Sequence, residues 1–204
     1  NEKRVFVPYE AIPKLLVEAF VVTEDKNFFK HDGLDFKGIT RAIIINMKHL
    51  ITGNRLVGAS TITQQVAKNF LLSSEVSFDR KIKEALLALR IERTLTKEKI
   101  LELYLNEIFL GFRSYGIAVA SQNYFNKSID DLDLSEIAFL AGLPKGPNNY
   151  HPIKKYNAAI FRRNYVLSRL FEEGVIGRSD FAKASQKNII IIKNSSNSSI
   201  KANY

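Results

Sequence analysis

At 204 residues the chain is long enough for one substantial core, or one core with a small appended lobe. A formal net charge of +9 points to an anionic partner: nucleic acid, an anionic membrane surface or a phosphate-bearing substrate. The absence of cysteine excludes disulfides and thiolate metal sites, and no run of about 18 consecutive apolar residues marks a membrane span.

There is no initiator Met and no signal-peptide pattern, so the sequence reads as an excised domain or a processed product, with any anchor outside it. Val5–Val7 reads as a short strand. Pro13 suits the first turn of a helix that continues through Leu15, Leu16, Ala19, Phe20 and Val22 to Glu24. Phe36–Leu50 carries Ile39, Ala42, Ile43, Met47 and Leu50 at helical spacing, with Ile44 and Ile45 on other faces. That apolar excess fits either a buried core helix or an element dipping into a bilayer. Thr52 to Asn54 reads as a loop, and Ile51 to Val57 as a mobile stretch.

Ala59–Leu72 is the next predicted helix, followed by a break over Ser73–Ser77. Asp79–Thr94 places Ile82, Leu86 and Leu89 on one stripe, and Thr96 can cap Lys97–Phe109. Asp133 and Glu136 have capping-box spacing before the apolar helix Leu134–Leu143, which Pro144 and Pro147 terminate. A long helix from Tyr156 to Glu173 closes at Gly174, and Ser179 can cap a short one. Asn188–Ile192 reads as a strand, and Asn194–Asn203 is a Ser/Asn-rich linker or disordered end. The domain proper is expected over 1–185, with 186–204 as the start of the linker or tail. The class is mainly α.

Most polar features are bland when taken singly. Arg80 and Glu84 are four apart, the spacing of a surface ion pair worth a few tenths of a kcal/mol. Glu24 and Asp25 sit where acidic pairs are usually solvated, and the three histidines lack metal-ligand spacing. The stripe Thr61, Gln64, Gln65, Lys68 is unusual, because Gln and Thr stand where Glu and Lys would be the ordinary surface choice. It fits a helix lining a polar cleft.

Taken together, the motifs resemble those of the peptidoglycan glycosyltransferases (glycosyltransferase family 51). E-D-x-x-F-x-x-H-x-G at Glu24–Gly33 resembles the family's first signature, and G-x-S-T-x-T-Q-Q-x-x-K-N at Gly58–Asn69 its second. R-K-x-x-E at Arg80–Glu84 resembles the third, and the stretch from Lys99 through Glu102 and Tyr104 to Asn106 the fourth. The similarity runs from about Val5 to about Gly174, in the family's order. The segment between Met47 and Gly58 is slightly longer than is usual there.

The resemblance implies a lysozyme-like helical fold with a smaller, membrane-facing jaw lobe, and polymerisation of lipid II into β-1,4-linked glycan with inversion and release of the lipid diphosphate. It makes Glu24 the base for the acceptor hydroxyl and Glu84 the second catalytic carboxylate. Glu84 would bind a divalent cation, orient the cations or assist the leaving group. Lys68, Arg80 and Lys81 would hold the donor diphosphate. Ser60, Thr61, Gln64, Gln65, Asn69 and Asn106 would contact substrate, and Asp25 would organise the site. Mg²⁺ or Mn²⁺ would come with the substrate diphosphate, with Glu84 as its protein ligand.

The implied partners are lipid II, the growing lipid-linked glycan and a membrane surface, with no nucleic acid. The region around Pro144 to Pro152 further resembles class A penicillin-binding proteins, in which such a domain follows a membrane helix and precedes a transpeptidase on the outer face of the cytoplasmic membrane. S-x-x-K with its partner motifs does not occur, so covalent β-lactam binding is not expected. A lysozyme-like hydrolase would share the fold and a catalytic Glu but would not need diphosphate-binding cations. A basic nucleic-acid module would need recognition motifs that do not stand out here.

Overall fold

The structure is a computed structural model that describes residues 5–53, 57–71 and 77–192. The predicted break over Ser73–Ser77 falls mostly outside these residues, and the Asn194–Asn203 tail wholly so. Among the described residues there are nine α-helices and no strand. They divide into two compact units, Glu24–Tyr104 on one hand and Asn1–Thr23 with Leu105–Tyr204 on the other.

The unit Glu24–Tyr104 contains the end of α1 (Lys14–Glu24), then α2 (Phe36–Thr52), α3 (Ile62–Leu71), α4 (Phe78–Thr94) and most of α5 (Lys97–Glu107). α3 packs on α4, and Phe28, Ile62, Val66, Ala67, Ala88, Ile100 and Leu101 are buried. Asp35 caps α2 by accepting from the Gly38 N–H at 2.9 Å, and Gly53 ends it in a left-handed conformation (φ 69°). The helix therefore runs past Leu50 into the stretch read as a loop. Val57 returns to it through reciprocal bonds with the Asn46 amide, at 2.6 and 3.0 Å.

The buried-core alternative for α2 does not hold. Only Gly38 and Ala42 are buried, while Phe36, Ile43, Ile44, Met47, Leu50 and Ile51 are exposed. Ile51 is 88 % exposed, far more than a core contact allows. Although the helix is apolar, no helix among the described residues is long and apolar enough to cross a membrane.

The other unit is built around α6 (Ile117–Phe125), α7 (Leu134–Gly142), α8 (Tyr156–Glu172) and α9 (Arg178–Gln186). α7 is buried almost throughout and packs chiefly on α8; Tyr124 and Phe125 meet Phe139 edge-on. Asp133 and Glu136 form the expected capping box. Arg163 is fully enclosed and donates to Ser135 Oγ (2.6 Å) and to the carbonyls of Lys187 (2.7 Å) and Ser185 (3.0 Å), fastening the C-terminal end of α9.

Four element readings need correction. Val5–Val7 forms no strand; instead Val7 is held at both its N–H and carbonyl by the Asn106 amide. Asn188–Ile192 forms no strand either, and the Ile192 N–H donates to the Tyr124 carbonyl. α3 begins at Ile62 rather than Ala59 because Thr61 is its cap. α9 is preceded by Gly177, not capped by Ser179.

Candidate active site

Glu24 is the last residue of α1, and Asp25 leads into the loop before α2. Asp25 is buried, and its carboxylate accepts from the Ile62 N–H at the start of α3 at 3.0 Å. His31 Nε2 lies 3.0 Å from both Asp25 oxygens, while His31 Nδ1 accepts from the Gly33 N–H at 3.1 Å. A ring nitrogen that accepts carries no proton, so the Gly33 contact places the proton on Nε2, facing Asp25. The loop is thereby tied to the first turn of α3.

That turn is closed by a second device. Thr61 Oγ1 accepts from the Gln64 N–H (3.1 Å) while Gln64 Oε1 accepts from the Thr61 N–H (3.0 Å), a capping box of the T-x-x-Q form. Thr61 Oγ1 also donates to the Gly33 carbonyl at 2.6 Å. Thr61 and Gln64, expected to face substrate, are buried and bonded to each other in this structure.

One turn further, Gln65 reaches the site. Its Nε2 donates to Glu24 Oε2 at 3.1 Å, and its Oε1 lies 3.4 Å from the Tyr104 hydroxyl. Burial pushes the Tyr104 phenol well above its usual range, with the charges of Glu24 and Asp25 adding to the effect. Tyr104 therefore stays a protonated donor, which favours the Gln65 orientation with oxygen toward Tyr104 and nitrogen toward Glu24.

A cationic group forms at the start of α4. Ser77 caps the helix by accepting from the Arg80 N–H at 3.1 Å. Lys81 Nζ bonds Glu84 and donates to Ser60 Oγ at 2.8 Å. The Glu84 side chain is only 3 % exposed whereas Lys81 is about half exposed, so the ammonium head is what this group offers to solvent. Arg80 Nε is buried and has no hydrogen-bond partner among the described residues. Lys68 and Asn69 are exposed on α3.

Asn106 belongs to the other unit, where its buried amide is engaged with Val7. Among the described residues no group of three or more His, Cys, Asp or Glu side chains can hold a metal ion. A cleft of about 690 Å³ is lined by residues including Asn27, His31, Asp35, Leu89, Glu92 and Arg93. Neither Glu24 nor Glu84 lines it.

Thr63 is a position of the second signature without an expected role, and Glu92 and Lys97 are not singled out by the sequence, although all three join the network beneath this site. The T-x-x-Q spacing at Thr61 was a legible capping signal. The Glu92–Lys97 pairing had no comparable signal, since the two residues flank a helix break.

The chain matches the transglycosylase family over residues 1–171. It is 49% identical over 203 residues to penicillin-binding protein 1A of Rickettsia conorii, covering 100% of this chain and 26% of that protein. It is also 49% identical to penicillin-binding protein 1A of Escherichia coli K12, over 89% of this chain and 21% of that protein. The crystal structure of penicillin-binding protein 1A from Haemophilus influenzae matches with a TM-score of 0.57 at 28% identity, over 95% of this chain and 19% of that one. The chain thus spans about a quarter of the length of the curated relatives it matches. With a family match over most of its length and a helical fold shared with a solved relative, the chain belongs to the transglycosylase family.

Proposed function

We propose that this domain polymerises lipid II into β-1,4-linked glycan, with inversion at the anomeric carbon and release of the lipid diphosphate. The observation that carries the reading is the placement, within one unit, of a carboxylate held by a neutral amide donor (Glu24 with Gln65) and a separate cationic group (Arg80, Lys81) beside a buried carboxylate (Glu84).

The acceptor sugar hydroxyl gives its proton to Glu24 as its oxygen attacks the donor anomeric carbon. A positioned base of this kind supplies roughly 10²–10⁴-fold. Negative charge then builds on the departing diphosphate. Lys81 and Arg80, with Lys68 on α3, meet that charge, the arginine through its planar fork and the lysines as point charges. Lys81 is engaged by Glu84 and Ser60, so the diphosphate replaces or shares those contacts. Gln65, Ser60 and Asn69 are assigned to substrate contacts, and Asp25 to organising the loop. A Mg²⁺ or Mn²⁺ ion travelling with the diphosphate would add positive charge there, and Glu84 would become its ligand by giving up Lys81.

The exposed apolar face of α2 supports a membrane-surface role, with Lys37, Arg41 and Lys48 on the same helix for anionic lipid. The reading places the domain at the outer face of the cytoplasmic membrane, in a longer protein that carries a transpeptidase domain and a membrane helix.

The test is lipid II polymerisation in detergent with Mg²⁺, comparing wild type with Glu24→Gln and Glu84→Gln. Glycan from wild type and a loss of at least about 10²-fold in Glu24→Gln are expected. Release of muropeptides from sacculi without polymerisation would replace the transferase reading with a hydrolase. Thermal stabilisation by moenomycin that survives both Lys68→Ala and Arg80→Ala would overturn the diphosphate assignment.

A further inference from the structure

α3 carries Gln65 to Glu24, and it is fastened from two directions. On one side lie the contacts already described, from Asp25 to the Ile62 N–H and from Thr61 to the Gly33 carbonyl. On the other, Thr63 Oγ1 donates to Glu92 Oε1 at 2.5 Å. Lys97 Nζ donates to that same oxygen at 2.8 Å and to the His31 carbonyl at 2.6 Å. The ammonium also lies 4.3 Å from the Phe28 ring centroid. Thr63 is fully buried, and the Glu92 and Lys97 side chains are 6 % and 20 % exposed.

One ion pair therefore joins α3, α4, α5 and the loop that follows Glu24. The loop also rests against it directly, since a Cβ at Gly33 would come within 3.0 Å of the Ala88 carbonyl and 3.1 Å of Glu92 Cγ. Stability alone does not call for such a pair, because well-packed apolar residues often replace a buried ion pair at no cost. What an apolar pair cannot do is hold the Thr63 hydroxyl and the His31 carbonyl to a common point. Those two groups belong to the two segments that deliver Gln65 and Asp25 to the site.

We infer that Glu92 and Lys97 are positioning residues for glycosyl transfer. They set the α3 segment against the His31 loop, so that Gln65 meets Glu24 in the geometry the base requires. Gln65 bonds Glu24, and Ser60 and Glu84 bond Lys81, so the pair acts on these groups through the segments that carry them. The inference rests on the reading of Glu24 as the base.

The experiment uses the chain with Glu92→Met, Lys97→Met, the double variant and Thr63→Val. Melting temperature and lipid II polymerisation rates across substrate concentration are measured for each. Each single Met variant leaves a buried charge without its partner and melts lower than wild type. The double variant is expected to regain the melting temperature while its kcat stays at least about 10-fold below wild type, with KM changed by no more than about twofold. Thr63→Val removes one arm of the clamp while leaving the ion pair intact, and is expected to lower kcat several-fold with a smaller loss of melting temperature than either single Met variant.

A double variant with restored melting and wild-type kcat overturns the inference. If the double variant does not fold, unchanged kcat in Thr63→Val does the same. Absence of polymer from wild type removes the functional reading, and this inference with it. Polymer that is lost in Glu24→Gln but undiminished in the double variant and in Thr63→Val removes this inference alone.

Discussion

Gln65 donates to Glu24 from α3 at 3.1 Å, so the proposed base is oriented by a residue that follows it in sequence by 41 positions. A hydrogen bond to a charged group is worth about 1.5–3 kcal/mol. Gln65→Leu keeps most of the side-chain volume and removes the donor. It is expected to lower kcat by about 10- to 100-fold, the rate equivalent of that energy. Steady-state polymerisation kinetics check this, and a kcat within twofold of wild type would make the bond incidental.

Lys81 and Glu84 predict opposite stability effects for variants that both lose activity. Lys81→Ala leaves a nearly fully buried carboxylate without its cation. Because Lys81 itself is half exposed, the cost is discounted to about 1 kcal/mol, or roughly 2–4 °C in melting temperature for a chain of this size. Adding Glu84→Gln to that variant removes the stranded charge, so melting is expected to recover while polymerisation does not. Differential scanning fluorimetry beside the activity assay separates the two.

Gly33 and Gly53 both hold positive φ, at 94° and 69°, yet their surroundings differ. A Cβ at Gly33 meets the Ala88 backbone and Glu92, whereas a Cβ at Gly53 meets nothing within 4 Å. Gly53→Ala is expected to cost about 1 kcal/mol, from left-handed backbone alone. Gly33→Ala should cost clearly more and lower kcat as well, because the loop must move off α4. Chemical denaturation of the two variants decides it, and equal costs would show that the loop yields freely.

Much of the helical framework was legible because its signals are local. The Asp133/Glu136 spacing announces α7. The helical spacing of Ile82, Leu86 and Leu89 announces α4 but not its inward face: Ile82 and Leu86 are exposed, and Glu84 and Ala88 are the residues α4 buries. By contrast, α6 gave no such signal. It enters from Gly116 at φ 79° without a side-chain cap, and Ile117, Val119, Ala120, Tyr124 and Phe125 are all buried, leaving little amphipathic contrast to read. The stretches at Val7 and Ile192 are β-rich, yet among the described residues Val7 is held by a side-chain amide and Ile189 and Ile192 by a Tyr156 hydroxyl and a Tyr124 carbonyl, pairings that no local pattern encodes. In the site, the carboxylates and cations were readable as motifs. The T-x-x-Q spacing of Thr61 and Gln64 was legible too, though the resemblance makes those residues substrate contacts rather than a cap. The Glu92–Lys97 clamp was not legible, since it depends on what the folded chain brings alongside.

Asp133 gives a pH-dependent prediction. Burial raises its pKa, but the Glu136 N–H, Lys187 and the Ser135 N–H outweigh this, so the folded value lies below the ordinary 3.8. A depressed carboxylate contributes stability that is complete above the unfolded value and fades as pH falls through the folded one. Asp133→Ala is therefore expected to cost about 1 kcal/mol at pH 6, as for loss of a helix cap, and less below pH 3 or so. Urea titrations at the two pH values check it, and a constant difference would locate the cap's contribution in its neutral hydrogen bonds.

The exposed side of α2 predicts binding to lipid. Wild type is expected to sediment with vesicles containing anionic phospholipid, and Ile44→Asp with Met47→Asp to lose most of that binding while the fold is retained, as circular dichroism would show. Equal sedimentation of both proteins would leave the face unexplained.

If α2 does lie in an interface, turnover becomes a two-dimensional quantity. An enzyme whose helix offers Phe36, Ile43, Ile44, Met47, Leu50 and Ile51 to the lipid phase samples substrate by its mole fraction in that phase, not by its molarity in the tube. Adding inert detergent at constant lipid II would then slow the reaction by surface dilution, and a KM in molar units would change with the amount of amphiphile present.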